Sequence, residues 1–365
     1  MPGFRTPICD RLGIATPIFG FSHSPDVVAA ISDCGGYPIF GVARETPEHI
    51  EREIAAIRAR LGSRPFAVDV MYPKLAGEEP DLPSARAKIS DQHKAFVDGI
   101  RAKYNVPPAT RPNFFSSEIR NSALIRAQTE AVLASDADAI ATAVGLPPEV
   151  VAAAKTRGKA TFALVGSVRH VAAAKRAGAD FLVAQGYDAG GHTGPIGTFT
   201  LSAQVIDAAG DIPVLVAGGV GSGRQIAASL AMGAQGVWLG TAWLAARENH
   251  TPPKLLERLL RAGAEDTVLT RAHSGKSCRV VRSAWTDEWA APAAPDALPM
   301  PYQHALTGEL LAAIEEHQVE ALVYEAAGQS VAWFGEQTTV AEIFERLTAE
   351  TNAALDRLRE RVARL

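Results

Sequence analysis

Eight short apolar runs, each followed by a loop and then by a helix-spaced pattern, constrain this chain more than any other feature. They fall at 14–19, 37–40, 66–70, 137–144, 161–165, 181–185, 214–217 and 236–239. Runs that are apolar nearly throughout suit strands buried on both faces, and regular alternation with helices suits a parallel sheet. The intervening segments carry helix signals. Ser24-Pro25 and Thr46-Pro47 supply N-cap and first-turn pairs, and Ile50, Ile54, Ile57 and Leu61 recur at helical spacing. The expected fold is therefore α/β, a TIM (β/α)8 barrel, with a doubly wound open sheet as the alternative.

The rhythm breaks twice. Residues 71–135 hold Glu78-Glu79-Pro80, a charge-laced helical stretch near 89–104 and Pro107-Pro108, which reads as a helical insertion after the third strand, over the barrel mouth. Beyond 247 the pattern changes again. The expected organisation is a barrel over 1–247, a small C-terminal cap over 248–319, and a helical segment over 320–365 that returns to the barrel. Helices are expected at 254–261, 309–325 and 339–365. Trp285 and Trp289 in the cap read as packing more than as a substrate wall.

Composition narrows the function. Lys and Arg number 36 against 40 Asp and Glu, a net charge of -4 that suggests neither nucleic acid nor an anionic membrane as partner. No apolar stretch reaches transmembrane length, and the first residues lack a signal-peptide core. Cys9, Cys34 and Cys278 form no C-x-x-C pair, so disulfides and structural zinc are not expected and a reducing cytoplasm is. No His/Cys/Asp/Glu group has metal-ligand spacing, so no catalytic metal is expected.

Two places carry residues suited to chemistry. After the sixth run comes Gln185-Gly186-Tyr187-Asp188-Ala189-Gly190-Gly191-His192-Thr193-Gly194, a glycine-rich loop with one imidazole at a strand's C-terminal end. On the residues alone, packing and catalysis stand level for His192. After the seventh and eighth runs, Gly218-Gly219 and Gly240-Thr241 offer bare amides and a hydroxyl where barrels commonly hold a phosphate. Gly223 completes a G-G-x-G-x-G string, but no dinucleotide-binding unit follows it.

The loop 188–194 together with Ala217-Gly218-Gly219 and Leu239-Gly240-Thr241 resembles the nitronate monooxygenases, once called 2-nitropropane dioxygenases. Pro17-Ile18, Gly35-Gly36, Pro65–Asp69 and Ala327-Gly328-Gln329 also match short signatures of that family. The resemblance implies an FMN-binding TIM barrel and a small-molecule substrate, and leaves a homo-oligomer open. It implies that Gly218, Gly219, Gly240 and Thr241 hold the FMN phosphate. Gly20, Phe21 and Ser22 would lie against the flavin, with Asp69, Gln185, Gly190, Gly191 and Gln329 around it. His192 would face the substrate as general base or hydrogen-bond partner. His23 and Tyr187 are further candidates for substrate contact, against helix capping and packing respectively. The chain departs from the family pattern at Phe21, at Asp69, where many members have Asn, and at Leu164, where many have Lys. The activity so implied is oxidation of alkyl nitronates by dioxygen to carbonyl compounds and nitrite. The alternatives are an NAD(P)H-dependent flavin reductase acting on a quinone or enoyl thioester, and a non-flavin phosphate-binding barrel.

Overall fold

The computed structural model describes residues 4–75 and 80–364, so Glu78 and Glu79 of the expected insertion lie outside the described residues. The barrel strands are β1 (Ile18–Ser22), β2 (Tyr37–Gly41), β3 (Ala67–Met71), β4 (Ala139–Ala143), β5 (Ala160–Val165) and β6 (Phe181–Gln185). After a two-residue strand outside the barrel, β7 (Gly191–His192), come β8 (Val214–Ala217) and β9 (Gly236–Leu239). β1 to β6, β8 and β9 are parallel and close into a barrel when β9 pairs with β1. The TIM barrel expected from the eight runs is the observed architecture, and the open sheet is excluded.

Alternation along each strand decides what fills the barrel. Ile18 packs outward against Val27 and Ile31, whereas Phe19 points inward to meet Tyr37, Phe162 and Phe181. Phe162 stacks on Phe181 with ring centroids 4.6 Å apart and lies 5.6 Å from Tyr37 and 5.9 Å from Phe19. Ala67, Ala139, Ala141 and Ala217 leave room for these rings. The interior is thus a packed aromatic plug and not a channel, and any ligand must sit above it.

The first strand begins later than its apolar run. Ile14 belongs to the bottom of the plug, together with Ile8 and Cys9 from helix Pro7–Leu12. The connection after it is held by Ala15 and Thr16 donating to the Gly35 carbonyl. Ile14 is apolar because it seals the barrel floor, a role that periodicity does not separate from strand membership.

Between β3 and β4 run helices Leu82–Ala87, Asp91–Lys103, Phe114–Ser117 and Ser122–Ala134. The last packs on the barrel through Ala131, Val132 and Leu133. The second instead shares a core with the C-terminal region: Val97 and Ile100 pack with Trp285, Leu310, Leu311, Ile314 and Leu322. The long helix of that region is Tyr302–Glu316, not 309–325. It stops at His317 because Gln318 takes a left-handed φ of 47°. The last helix, Val340–Val362, starts at a capping box between Thr339 and Glu342.

A small antiparallel sheet joins the two layers. β10 (Thr267–Thr270) pairs with β11 (Cys278–Val281), which pairs with β7 through Cys278 opposite His192 and Arg279 opposite Gly191. These strands are too short for sequence patterning to reveal. Among the described residues no helix is long and apolar enough to cross a membrane. Because Phe162 is fully buried in the plug, Phe162→Ala should lower unfolding free energy by about 3–5 kcal/mol in urea titrations. A loss under about 1 kcal/mol would contradict the packed interior.

Candidate active site

The C-terminal ends of the barrel strands open into one cavity above the plug. Phe21, Ser22 and His23 line it from β1, Asp69 from β3, and Gln185, Gly190, Gly191 and His192 from β6 and its loop. Gly218 and Gly219 follow β8 into the same space, and Gly240 and Thr241 follow β9. Trp238 and Leu164 contribute to the lining as well.

Three sequence candidates stand elsewhere. Gly20 faces the helical layer, where a Cβ would fall 2.3 Å from Ile31 Cδ1. Tyr187 packs under the Arg279 guanidinium, 4.5 Å from the ring centroid, and its carbonyl accepts from Arg279 Nε at 3.1 Å. Gln329 acts through its backbone, donating its N–H to the Asp188 carbonyl at 2.9 Å, and its side chain is not part of the cavity wall.

That backbone contact belongs to a clamp. Gly190 and Gly328 meet so closely that a Cβ on Gly190 would stand 2.7 Å from the Gly328 nitrogen. Gly328 in turn donates to Thr241 Oγ1 at 2.9 Å. The Ala327-Gly328-Gln329 segment therefore ties the β6 loop to the β9 loop. Asp188 fixes the same loop from below by accepting the Thr198 N–H at 3.1 Å.

Gly218 and Gly219 have φ values of 97° and 73°, in the left-handed region that favours glycine. Among the described residues their N–H groups make none of the loop hydrogen bonds that secure their neighbours. A Cβ on Gly218 would lie 3.0 Å from Thr198 Oγ1, a buried hydroxyl with no partner. Unspent donors on bare backbone form a cradle suited to an anionic group such as a phosphate.

The imidazole of His192 is held from the cap. Its Nδ1 lies 3.1 Å from the Ser277 carbonyl oxygen and its Nε2 lies 3.4 Å from Ser274 Oγ. A carbonyl only accepts, so Nδ1 carries the proton and Nε2 keeps a lone pair. Burial pulls this histidine down to about 4, against a smaller rise from the Ser277 hydrogen bond. His23, which is open to the cavity, is likewise lowered to about 4, first by desolvation from the surrounding protein and then by the Arg44 charge, and its Nδ1 sits 2.7 Å from the Gly41 carbonyl.

Several cavity residues were not singled out in the sequence, among them Arg44 in the loop after β2 and others that follow no barrel strand. Arg44 and Glu325 form a two-pronged ion pair at 2.9 and 3.2 Å. His273, 3.1 Å from the Tyr324 hydroxyl, and His304 come from the cap, and Arg120 comes from the β3–β4 connection. All but Arg44 reach the cavity because the insertion and the C-terminal region fold together over the barrel.

Known proteins resemble this one in both sequence and structure. The family profile described as nitronate monooxygenase matches residues 9–350. A Mycobacterium tuberculosis protein named as a monooxygenase is 41% identical over 314 residues, covering 84% of this chain and 84% of that protein. A Bacillus subtilis protein named as a nitronate monooxygenase is 29% identical over 349 residues, covering 92% and 95% respectively. Among solved structures, nitroalkane oxidase from Streptomyces ansochromogenes superposes with a TM-score of 0.79 at 29% identity, covering 96% of this chain and 99% of that one. FabK from Thermotoga maritima superposes at 0.74 with 25% identity, covering 98% and 99%.

Asp69 gives the site a pH signature. It is 5% exposed, its Oδ2 has no partner, and burial raises it from 3.8 to about 7. The folded state then binds this proton more tightly than the unfolded chain does. The resulting stability is complete below about pH 4 and is lost as pH rises through about 7. Asp69→Asn should therefore gain on the wild type between about pH 5 and about pH 8, by a few kcal/mol in urea midpoints converted to free energy. A gap that is the same at both pH values would contradict an unpaired buried carboxyl.

Proposed function

The chain belongs to the nitronate monooxygenase family of oxidoreductases, and from that membership we propose that it uses FMN to oxidise alkyl nitronates with dioxygen, giving carbonyl compounds and nitrite. The observation that carries this reading is the neutral His192 imidazole lining the same cavity as the Gly218-Gly219 cradle.

The residues present fit the cofactor. The unengaged amides of Gly218 and Gly219, the partnerless Thr198 hydroxyl beside them and the Gly240-Thr241 turn supply donors for its phosphate. Phe21, Trp238 and Leu164 offer apolar surface to a planar ring, and Gln185 and Asp69 offer polar groups to its edge. Bound there, FMN would supply the redox chemistry that links substrate oxidation to dioxygen.

The protein's own part is positioning and proton handling. At about 4, His192 is neutral at physiological pH and cannot lend the substrate a positive charge. It is also a weak base, since proton abstraction is most efficient when the base titrates near the working pH. A neutral nitroalkane must surrender its α-proton to such a base, whereas a nitronate arrives already deprotonated. The site is better matched to the nitronate. Asp69, largely shared between its two protonation states near pH 7, can donate a hydrogen bond as the Asn of other family members would. The departure from Asn thus keeps donor chemistry in its protonated fraction.

Replacing His192 with Asn should leave the cofactor bound, measured as flavin released on denaturation. It should cut turnover of neutral nitroalkanes by about 10²-fold, the low end for general-base catalysis by so weak a base, while changing nitronate turnover far less, followed by oxygen consumption. Equal losses on both substrates would remove the base role. A protein that stays colourless after reconstitution with FMN would remove the flavin reading itself.

A further inference from the structure

Among the described residues, Arg120 has no counter-ion inside the cavity. It follows helix Phe114–Ser117, lines the cavity and is only 2% exposed. Its Nη2 donates to the Ala43 carbonyl, while Nε and Nη1 have no partner among the described residues. The Phe114 ring lies 5.7 Å from its guanidinium carbon and supplies no hydrogen-bond acceptor of the carboxylate kind. Burial, with the nearby Arg44 charge, lowers Arg120 to about 10, which still leaves it protonated near neutral pH.

The other cavity groups do not balance it. Arg44 and Glu325 neutralise each other. Burial holds His23 and His192 at about 4 and His273 at about 3, and His304 lies well below its ordinary value. Asp69 is raised by burial alone, with no contribution from Arg120. Unpaired N–H groups on a buried charge are destabilising, and an anionic ligand would satisfy them. A second orphan lies in the same wall: His304 Nε2 has no partner, and its ring is 5.8 Å from His273.

The cofactor phosphate is not the anion in question. Arg120 belongs to the connection from β3 to β4, and in the closed barrel these strands stand opposite β8 and β9, which carry the Gly218-Gly219 and Gly240-Thr241 loops.

We propose that Arg120 is the substrate-anion recognition residue of this cavity, its free Nε–H and Nη1–H groups binding the oxygens of a small oxyanion carried by the substrate, either a nitronate head or a carboxylate. The proposal rests on the nitronate reading for its substrate class, but its first test does not need flavin. Charge-assisted hydrogen bonds at a desolvated guanidinium discriminate strongly between an anion and its uncharged analogue.

Wild type, Arg120→Met and Arg120→Lys are unfolded thermally at fixed ionic strength with sodium nitrate, sodium acetate or acetamide. Both anions should raise Tm of the wild type through binding to the folded state, while acetamide should not. The anion response should vanish in Arg120→Met and be partly restored in Arg120→Lys. Without anions, Arg120→Met should melt no lower than the wild type, because it removes an unpaired buried charge. Melting well below the wild type, or an anion response equal to the wild type's, would overturn the proposal.

Steady-state kinetics with propane-2-nitronate, which has no carboxylate, separates the two sources. A rise in KM of about 10- to 100-fold in Arg120→Met, with kcat little changed, assigns the nitronate head. An unchanged KM alongside a lost acetate response assigns a substrate carboxylate. A colourless protein would defeat the flavin reading and leave the thermal measurement standing.

Discussion

The site depends on bare backbone meeting bare backbone. Gly190 and Gly328 approach within a distance that leaves no room for a side chain, and Gln329 and Gly328 then donate to Asp188 and Thr241. This clamp brings the β6 loop, the β9 loop and the C-terminal segment to one point. A few residues on, β7 pairs with β11, so His192 is positioned by the cap as much as by the barrel. Neither layer alone would aim the imidazole. The aromatic plug below sets the depth of the cavity, and the shared core of insertion and cap closes it above.

Within that enclosure burial acts on every titratable group in the direction that removes charge. Histidines lose their protons and Asp69 keeps its own to about 7. The ion pair of Arg44 and Glu325 survives because each charge has its partner at hydrogen-bond distance. Arg120 keeps a charge that no described residue in the wall neutralises. A cavity whose described residues offer neutral imidazoles and an unpaired cation suits a ligand that brings its own negative charge.

The barrel was legible because eight apolar runs at regular spacing have few other folded solutions, and the residues at their C-terminal ends inherit a place at the mouth. Phe21, Asp69, Gln185, His192, Gly218 and Thr241 all gather there. What pattern reading missed has specific causes. The run at 14–19 combined a floor-sealing Ile14 with the start of a strand, and Gln318 ended a helix through a backbone conformation that its residue type does not advertise. Gly20 and Tyr187 lie next to cavity residues in sequence but face away from it, because strand alternation and the Arg279 contact turn them. Arg120, His273 and His304 were invisible because they reach the cavity from segments whose docking depends on tertiary packing, not on period.

The central claim is that this mouth holds a flavin which takes electrons directly from a nitronate. Anaerobic mixing of the FMN-loaded protein with an alkyl nitronate, NADH and NADPH in separate experiments tests it most directly. The account predicts rapid loss of the oxidised flavin absorbance with the nitronate and little change with either nicotinamide. Fast bleaching by NADH or NADPH, with none by the nitronate, would contradict it and assign the site to a reductase.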